Sequence, residues 1–387
     1  MTEHRAIVAG GGIAGLAAAA ALIRSGWKVL VLESAPELGE VGAGLAVTVN
    51  GARALDAIDA GDRVRSHGRV LRPAGTRRAD GKWLLRAPDA PSGDLDLMIG
   101  IHRRELHQAL VESARDAELV TGARVSALWP GTPGGEPARV VWESSDGTHS
   151  ATANLLVAAD GIRSVARSVL FPGFRLTYSG YSSWRAVIAD RAIVDDRFAM
   201  VWGPHAEFGS LRIGPERVYW YGYVRLPTGH RFANELDAAR EYFASWASDV
   251  RALTGATEAD QLIRHDVWEL SRQLPRYTQG RTVLIGDAAH PMLPTLGQGA
   301  NSALEDGVTL GAVVRADREL SSALCDYERL RHGRAQRLVS RSVQMAALGA
   351  HLGPGVGQWA RNALLRVTPP RAAHRSGTRI LDWTPPA

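Results

Sequence analysis

The stretch Ala6-Ile7-Val8-Ala9-Gly10-Gly11-Gly12-Ile13-Ala14-Gly15 joins four apolar residues, typical of a strand, to a G-x-G-x-x-G pattern. The alanine-rich segment 16–23 that follows is typical of a helix. Gly10 allows a tight turn, Gly12 lets the backbone approach a pyrophosphate, and Gly15 lets the helix pack on the strand. The pattern predicts a strand–turn–helix unit whose helix N-terminus binds a dinucleotide phosphate. The predicted contacts are Gly10, Gly12, Ile13, Ala14 and Gly15.

A second predicted strand, residues 28–32, ends at Glu33, eighteen residues beyond Gly15. An acidic side chain at this place accepts hydrogen bonds from the ribose hydroxyls of a bound dinucleotide. Two distant stretches, Ala159-Asp160-Gly161 and Gly286-Asp287, each follow a predicted strand. One long cofactor that touches all of these stretches accounts for them together, and we predict that this cofactor is FAD.

The size of the chain, 387 residues, exceeds the usual span of one hydrophobic core, so we expect two domains. Cys325 is the single cysteine, which excludes an intrachain disulfide and a CxxC metal or redox pair. The sequence contains no recognisable signal peptide and no apolar run near the ~18 residues that span a bilayer. We therefore expect a cytoplasmic protein with no membrane partner and no metal.

The charge of the chain is mildly positive, with a net charge of +5. Of its 45 basic residues other than histidine, only Lys28 and Lys82 are lysines. No basic tract is interleaved with aromatic residues, so we expect no nucleic-acid partner. A weak attraction for anionic cofactors or substrates is the expected consequence of the charge.

The order of the predicted elements indicates an α/β protein with a discontinuous, Rossmann-type FAD-binding domain. Residues 1–171 form its first part, from which a hairpin at about 68–100 reaches toward a second domain. Residues 172–275, rich in aromatic strand-like segments, are predicted to form a smaller mixed-sheet substrate domain. The chain returns to the FAD-binding domain over 276–348, and residues 349–387 are predicted to be a looser C-terminal tail.

Five motifs occur in order: Gly10 to Gly15; Leu32-Glu33 with Val41-Gly42-Ala43-Gly44; Ile101-His102-Arg103-Arg104-Glu105-Leu106; Asp160-Gly161-Ile162-Arg163-Ser164-Val165-Ala166-Arg167; and Gly286-Asp287-Ala288-Ala289-His290-Pro291 continuing to Asn301. With them the chain resembles the single-component flavoprotein aromatic hydroxylases, the para-hydroxybenzoate hydroxylase superfamily. Within it, the chain is similar to the branch of salicylate, hydroxynicotinate and FAD-dependent urate hydroxylases.

The resemblance implies roles for several of these residues. Asp287 would bind a ribityl hydroxyl of FAD, and Arg103 would contact the cofactor from the helix after the hairpin. Asp160 would lie near the pyrophosphate, and Val125 would touch the adenine through its backbone. Gly44, in the second motif, is a further expected cofactor contact.

The resemblance also implies an activity. The enzyme would hydroxylate an aromatic or heteroaromatic small molecule with NADH or NADPH and O2, through a flavin C4a-hydroperoxide. Only one glycine-rich fingerprint is present, so the nicotinamide cofactor would bind transiently at the flavin. Its partners would be the small aromatic substrate and O2, and the protein would be a monomer or a homodimer.

The segment 294–301 has a physical interpretation of its own. Gly297 and Gly299 let backbone N–H groups approach a ligand, and a helix predicted to begin near Asn301 directs its positive end at that ligand. A reduced flavin carries negative charge, which such a helix end stabilises. The predicted contacts are Pro294, Gly297, Gly299, Ala300 and Asn301.

The stretch Ala46-Val47-Thr48-Val49-Asn50 replaces the polar or histidine-containing stretch ending in Pro-Asn that is usual in this family, so a catalytic base is missing at this point. The catalytic candidates therefore lie on another segment. On the predicted strand 217–224, Tyr219, Tyr221 and Tyr223 share one face by their period of two. Tyr219 aligns best with the tyrosine that the hydroxylases use to orient or deprotonate a phenol, while an aromatic ladder between packed sheets is the alternative. Arg185 and Arg212 are candidates either for an anionic substrate or for interdomain ion pairs. We take Tyr219, Tyr221 and Arg185 as the catalytic candidates.

Two other functions stay open at this level. A flavin-dependent halogenase would share the fold, but its Trp-x-Trp-x-Ile-Pro motif is absent and Lys82 is predicted to lie in a hairpin turn. A flavin-binding sensor without turnover would share the binding motifs, because these motifs indicate binding and not chemistry.

Overall fold

The structure is a computed structural model that describes residues 4–39, 43–88, 98–190, 192–315, 317–370 and 378–386. Val41 and Gly42 of the second motif lie outside the described residues. The helices are α1 (Ile13–Arg24), α2 (Val49–Ala57), α3 (Gly61–His67), α4 (Arg103–Ser113), α5 (Val165–Leu170), α6 (Glu235–Tyr242), α7 (Ser248–Gly255), α8 (Gly299–Val313), α9 (Leu320–Leu348) and α10 (Val356–Val367). The strands are β1 (Arg5–Ala9), β2 (Lys28–Leu32), β3 (Gly44–Thr48), β4 (Arg69–Arg78), β5 (Trp83–Arg86), β6 (Met98–His102), β7 (Glu118–Val120), β8 (Arg124–Trp129), β9 (Ala138–Ser144), β10 (Gly147–Ala153), β11 (Leu155–Ala158), β12 (Leu176–Ala189), β13 (Arg197–Gly203), β14 (Ala206–Arg212), β15 (Arg217–Arg225), β16 (Leu262–Leu270), β17 (Thr278–Gln279) and β18 (Thr282–Leu284).

A six-stranded sheet with the order β17-β18-β11-β1-β2-β7 forms the first layer. All its pairs are parallel except β17 with β18. Strands β1, β2, β11 and β18 are apolar and almost entirely buried, as expected for parallel strands covered on both faces. This is the Rossmann-type arrangement that the opening motif predicts.

The alanine-rich α1 is explained by its contact with α8. A Cβ added to Gly307 would lie 2.6 Å from the Ala18 backbone nitrogen, and one added to Gly311 would lie 2.7 Å from the Ala21 carbonyl carbon. The two helices therefore meet backbone to backbone, which only small residues on both sides permit. This contact fixes the N-terminal ends of two helices at the same edge of the sheet.

A nine-stranded sheet forms the second layer, with the order β16-β12-β15-β14-β13-β4-β6-β3 and β5 paired to β4. One of its faces is apolar and is covered by α6 and α7, with Trp184, Phe208, Trp220, Phe243 and Trp246 at the centre of the contact. The other face carries the side chains that alternate with these. A three-stranded sheet, β10-β9-β8, completes the fold.

Three elements differ from the sequence prediction. The residues 235–248 predict one helix, but the chain turns after α6, where the Ala247 N–H donates to the Ala79 carbonyl at 2.7 Å, and continues as α7. Helix α8 begins at Gly299, before the predicted start near Asn301. The predicted tail contains a regular helix, α10. The domain limits stay predictions, although the hairpin strands β4 and β6 do share a sheet with β12–β16.

Candidate active site

Three parallel strands end side by side at one edge of the six-stranded sheet. Strand β11 pairs in register with β1 on one side and with β18 on the other. Because the three strands are parallel, the residues after their ends are neighbours, which brings Gly10, Asp160 and Asp287 together. A Cβ on Gly286 would lie 2.8 Å from the Ala14 Cβ, so the third stretch packs directly against α1.

The glycine loop after β1 has the geometry of a phosphate site. Gly10 has φ of +109°, and a Cβ there would lie 2.8 Å from the Ala159 carbonyl carbon. A Cβ on Gly15 would lie 3.0 Å from the Gly10 carbonyl carbon, so no side chain fits between helix and strand. A Cβ on Gly12, in contrast, would have no atom within 4 Å. Gly12 caps α1, which begins at Ile13, so free N–H groups of a helix N-terminus border open space.

The predicted ribose ligand, Glu33, is fixed next to this loop. Its Oε2 accepts a hydrogen bond from Gly11 N at 2.7 Å, and its Oε1 accepts one from Ala35 N at 2.7 Å. The Ala123 N–H donates to the Glu33 carbonyl at 2.8 Å, which places Val125 of β8 two residues away from this contact. The contacts of Glu33 with a ribose and of Val125 with an adenine stay predictions.

Asp160 has one buried oxygen without a donor. Its Oδ2 accepts a hydrogen bond from Ala166 N at 3.1 Å, whereas its Oδ1 is buried and has no hydrogen-bond partner among the described residues. The buried Arg167 donates from Nη1 to the carbonyls of Asp287 at 3.1 Å and Ala288 at 3.0 Å, which ties the second stretch to the third. A buried carboxylate oxygen without a donor is costly, so its position fits a ligand that supplies one.

Asp287 forms a 3₁₀ turn with its neighbours directly after β18. Its side chain is accessible to solvent, although many protein atoms surround the carboxyl group. The removal from bulk water raises the pKa of the carboxyl, and the positive charges of His290, Arg103 and Arg167 oppose this rise. Its predicted role as the ribityl ligand stays a prediction.

The loop before α8 also borders open space. Pro294–Leu296 form a 3₁₀ turn, and Gly297 has φ of +63°, a conformation that favours glycine. Cβ atoms on Gly297 and Gly299 would have no atom within 4 Å. The first N–H groups of α8, including that of Ala300, have no intrahelical partner and suit a ligand with partial negative charge.

The side chain of Asn301 is fully used inside the protein. Its Oδ1 accepts a hydrogen bond from Thr48 N at 3.0 Å, and its Nδ2 donates to the carbonyls of Ala46 and Gly297, each at 3.0 Å. The side chain therefore fixes β3 against the loop before α8. A cofactor contact of Asn301, as predicted, would have to use its backbone.

A buried network of charges under this edge was not predicted from the sequence. Asp306 accepts hydrogen bonds from Gly286 N at 2.8 Å, from His290 Nε2 at 2.5 Å and from Arg331 Nε at 2.7 Å. Glu305 forms an ion pair with the same arginine. Burial alone would raise the pKa of Asp306, but the charges of His290 and Arg331 lower it to about 2. The network fixes the Gly286 turn to α8 and α9.

Together, these features fit FAD along the edge of the six-stranded sheet. Open backbone at Gly12 suits the pyrophosphate, and open backbone at Gly297 and Gly299 suits the flavin end. The Asp160 oxygen that lacks a donor lies at the middle strand, and Glu33 lies next to the glycine loop, where we predict the adenosine ribose. Glycines that only close turns would not be expected to leave open backbone at several places along one edge of a sheet.

One face of the nine-stranded sheet carries the three tyrosines of β15. Tyr219, Tyr221 and Tyr223 alternate with the apolar residues that pack against α6 and α7, and Arg185 of β12 lies directly opposite Tyr221. A Cβ on Gly44 would lie 2.9 Å from the Tyr219 Cδ1, so Gly44 provides the space into which this ring packs. A cofactor contact of Gly44 stays a prediction.

Helix α4, which begins at Arg103, connects this face with the edge of the six-stranded sheet that carries Gly10, Asp160 and Asp287. We call this edge the cofactor edge. The Arg103 N–H donates to the Ala43 carbonyl at 2.9 Å. Burial is the main influence on the pKa values of Asp287, Tyr219 and His265, and the positive charge of Arg103 acts on all three. One turn later in the same helix, His107 Nε2 lies 2.8 Å from the Gly11 carbonyl of the glycine loop. Helix α4 therefore reaches from the Ala43 carbonyl to the cofactor edge.

Tyr219 is buried, and no described residue forms a hydrogen bond with its hydroxyl. Burial raises the pKa of this phenol, and the nearby charges of Arg185 and Arg103 oppose the rise only in part. The phenol is therefore neutral near pH 7. It can donate a hydrogen bond to a substrate oxygen, but it is not a resting base.

A carboxyl group that the sequence analysis missed, Glu207, lies behind Tyr221. The Tyr221 hydroxyl donates to Glu207 Oε1 at 2.9 Å, and Trp202 Nε1 donates to Oε2 at 2.9 Å. Glu207 is 0% exposed, and burial raises its pKa to about 7, although both hydrogen bonds act to lower it. A group with this pKa can exchange a proton near neutral pH. The one signal in the sequence is an acidic residue directly before Phe208 and after Ala206, in the part of β14 that is otherwise apolar.

Tyr223 serves the packing of the sheet. Its ring stacks on Tyr181 at 4.9 Å, and its hydroxyl is 3.0 Å from His351 Nε2. The alternative of an aromatic ladder therefore fits Tyr223. The ring of Tyr221 also lies 6.2 Å from that of Tyr219, but its hydroxyl has a carboxylate partner.

The two candidate arginines have different surroundings. Arg212 forms ion pairs with Asp190 at 2.6 Å and with Asp196 at 3.3 Å, so it is a structural residue within the sheet. Arg185 donates from Nε to the Ser183 hydroxyl at 3.2 Å, and no carboxylate of the described residues lies within ion-pair distance of it. Arg185 therefore keeps its capacity to bind an anionic ligand.

We expect Glu207→Gln to remove a pH dependence of stability. The folded-state pKa of Glu207, about 7, lies above the ordinary value of 4.5, so its stabilising contribution is complete below pH 4.5 and is lost as the pH rises through 7. A shift of this size corresponds to about 3 kcal/mol. The difference in free energy of unfolding, variant minus wild type, should therefore rise by up to that amount between pH 4.5 and pH 8, as measured by urea titration.

The exposed Glu136→Gln is the matched control for this measurement and should leave the pH profile unchanged. Parallel pH profiles for wild type and Glu207→Gln would contradict the buried, proton-binding state of Glu207.

The described residues contain neither a cluster that fits a metal ion nor a helix that fits a membrane span. No group of three histidine, cysteine, aspartate or glutamate side chains in the described ranges is placed to hold a metal ion. No helix in the same ranges has the length and apolar character that crossing a membrane requires.

Comparison with known proteins identifies a matching protein family and relatives of similar sequence. The protein family described as FAD binding domain matches residues 3–342. The chain is 32% identical over 385 residues to aurachin C monooxygenase/isomerase of Stigmatella aurantiaca, with 98% of each chain covered. It is 30% identical over 381 residues to 2-heptyl-3-hydroxy-4(1H)-quinolone synthase of Pseudomonas aeruginosa, with 97% of each covered.

Among solved structures, Klebsiella pneumoniae HpxO complexed with FAD and uric acid has the same fold. Its TM-score is 0.86 at 28% sequence identity, and the match covers 98% of this chain and 96% of that chain. The similarity therefore extends over both the cofactor edge and the sheet face described above.

Proposed function

The chain belongs to the FAD binding domain family, and on this premise we propose that it is an FAD-dependent monooxygenase that hydroxylates an aromatic or heteroaromatic small molecule. Its reductant is NADH or NADPH, and its oxidant is O2. The observation that carries the proposal is the path of α4, which begins beside Gly44, where the Tyr219 ring packs, and reaches the glycine loop of the cofactor edge through His107. A flavin and an aromatic ring held there would be neighbours.

Binding of the cofactor is assigned to the edge of the six-stranded sheet. Gly12 and the first turn of α1 would hold the pyrophosphate, Glu33 the ribose, and Asp287 a ribityl hydroxyl. The first turn of α8 would stabilise the negative charge of the reduced ring. Bound FAD supplies the two-electron reduction and the activation of O2, while the protein supplies placement and exclusion of water.

Orientation of the substrate is assigned to Tyr219 and Arg185. The neutral Tyr219 phenol would donate a hydrogen bond to a substrate oxygen. Arg185, which has no carboxylate partner among the described residues, would bind an acidic or ionised group of the substrate. This pairing suits a planar ring that carries an ionisable hydroxyl or keto oxygen. The quinolone and uric acid in the names of the relatives are rings of this kind.

Removal of the substrate proton is assigned to Tyr221 and Glu207. Hydroxylation needs an electron-rich ring, and loss of a phenolic or N–H proton increases the electron density of the ring. Glu207 has a pKa of about 7 and accepts a hydrogen bond from the Tyr221 hydroxyl at 2.9 Å. Tyr221 could therefore take a proton from the substrate while it passes its own to Glu207.

The experiment that tests the function is a panel of substrates with the purified holoenzyme. Aromatic acids, N-heteroaromatics and polyketide phenols are added in turn, and NAD(P)H oxidation and product mass are recorded. At least one compound should stimulate oxidation and yield a product one oxygen atom heavier. A chloride-dependent product would indicate a halogenase. If NAD(P)H does not reduce the flavin in the presence of any of these compounds, the result would indicate a sensor without turnover.

A further inference from the structure

Helix α10 has its apolar side outward. Val356 is 83% exposed, Trp359 72%, Leu364 64% and Val367 76%, and at 3.6 residues per turn these side chains form one stripe along the helix. Two more exposed apolar residues, Val343 and Leu348, lie at the end of α9. Six of the ten large exposed apolar residues in the described part of the chain thus lie within residues 343–367. We call these six residues the α9–α10 patch.

The inner side of α10 is mainly polar, with Leu365 as its one large apolar side chain. Arg361 is buried, donates from Nη1 to the Leu348 carbonyl at 2.6 Å and lies 5.0 Å from the ring of Trp202. Gln358 and Asn362 flank it, and both are partly buried. A helix that packs on a protein core has the opposite orientation, with its polar side in water. The orientation of α10 indicates that its outer side has an apolar partner.

We propose that the α9–α10 patch docks the protein on the surface of a membrane that contains anionic lipids. The apolar stripe would lie among the acyl chains near the headgroups, with the helix axis in the plane of the surface. This departs from the sequence-based expectation of no membrane partner. It does not depend on the proposed hydroxylation.

The charge around the patch favours an anionic surface. Residues 335–387 contain seven arginines and a single acidic residue, Asp382. Arg337 and Arg366 are exposed on α9 and α10. An amphipathic helix with an exposed tryptophan, an apolar stripe and an exposed arginine, here Arg366, at its border is typical of binding at the interface of an anionic bilayer.

A second copy of the chain fits the patch less well. Two copies would bring arginines together without acidic partners, and like charges oppose such a contact. The outer side of α10, which carries four of the six patch residues, is also small, because a helix of 12 residues is about 18 Å long and about 10 Å wide. This is roughly 180 Å², far below the ~800 Å² that each partner of a stable interface buries. Interfacial binding of a helix needs no area of that size.

The test uses vesicle sedimentation of the FAD-loaded protein. Vesicles of phosphatidylglycerol and phosphatidylcholine should carry the protein into the pellet, and vesicles of phosphatidylcholine alone should carry at least tenfold less. High salt should release it, because salt screens the attraction between arginines and lipid headgroups. The double variant Trp359→Glu, Leu364→Glu should lose at least tenfold in vesicle affinity while FAD content stays unchanged.

Trp129→Glu is the matched control, because Trp129 is 50% exposed but lies on β8, away from the patch. It should bind vesicles like the wild type. Three results would overturn the proposal: no sedimentation of the wild type with anionic vesicles, equal loss of affinity in the Trp129 variant, or a wild-type dimer in light scattering that the double variant converts to a monomer. The last result would assign the patch to a second copy.

Discussion

Gly12→Val is expected to give a folded protein that contains almost no FAD. Gly12 has φ of −78° and ψ of −172°, a conformation open to any residue, and a Cβ there meets no protein atom within 4 Å. The valine would instead fill the space assigned to the pyrophosphate and remove at least two hydrogen bonds to a charged group. At about 1.5 to 3 kcal/mol each, this loss amounts to roughly two to four decades in FAD affinity.

The measurement is flavin titration of the stripped protein, together with its thermal unfolding. Gly255→Val is the control: its Cβ is equally free of contacts, and Gly255 lies at the end of α7, away from the cofactor edge. Gly15→Val should behave differently and fail to fold, because its side chain would overlap the Gly10 carbonyl. Normal flavin content in the Gly12 variant would refute the phosphate-loop assignment.

Tyr219→Phe is expected to separate NAD(P)H oxidation from hydroxylation. The variant keeps the ring that packs on Gly44, so the fold and FAD content should not change. It loses the one hydroxyl that can donate to a substrate oxygen from this position. Misplacement of the substrate or loss of a proton contact costs about 10²-fold or more. Product should fall by this factor while O2 is reduced to hydrogen peroxide.

Tyr223→Phe is the matched control, since Tyr223 lies on the same face of the same strand but contacts His351. It should stay coupled. A fully coupled Tyr219→Phe together with an uncoupled Tyr221→Phe would assign the role to Tyr221 and its partner Glu207. If all three variants stay coupled, the tyrosines are packing residues and the substrate enters already ionised.

The cofactor edge could be predicted from sequence because its signals are local. Each stretch, at Gly10, Asp160 and Asp287, consists of an apolar strand followed at once by glycine or aspartate, and parallel strands bring such ends together whatever lies between them. The alternation of the β15 tyrosines is local in the same way, because side chains alternate along any strand. The α/β fold and the FAD-binding family were therefore predicted correctly.

The features that sequence reasoning missed are set by long-range pairing. Glu207 is important because β14 pairs with β15, and Arg331 because α9 places it against two carboxylates of α8. Neither partner is close in sequence. The α10 helix was missed because glycine and proline residues before and after it are typical of an irregular tail, and its outward apolar side depends on what it packs against.

The most direct test of the account is isotope labelling with the holoenzyme, NAD(P)H and a compound that stimulates oxidation in the panel. Under ¹⁸O2 the product should be heavier, by mass spectrometry, than the product formed under ordinary O2, by one labelled oxygen atom. In labelled water with ordinary O2 it should gain no label. An oxygen atom from water, or NAD(P)H oxidation that yields only hydrogen peroxide with every compound, would contradict a monooxygenase at this site.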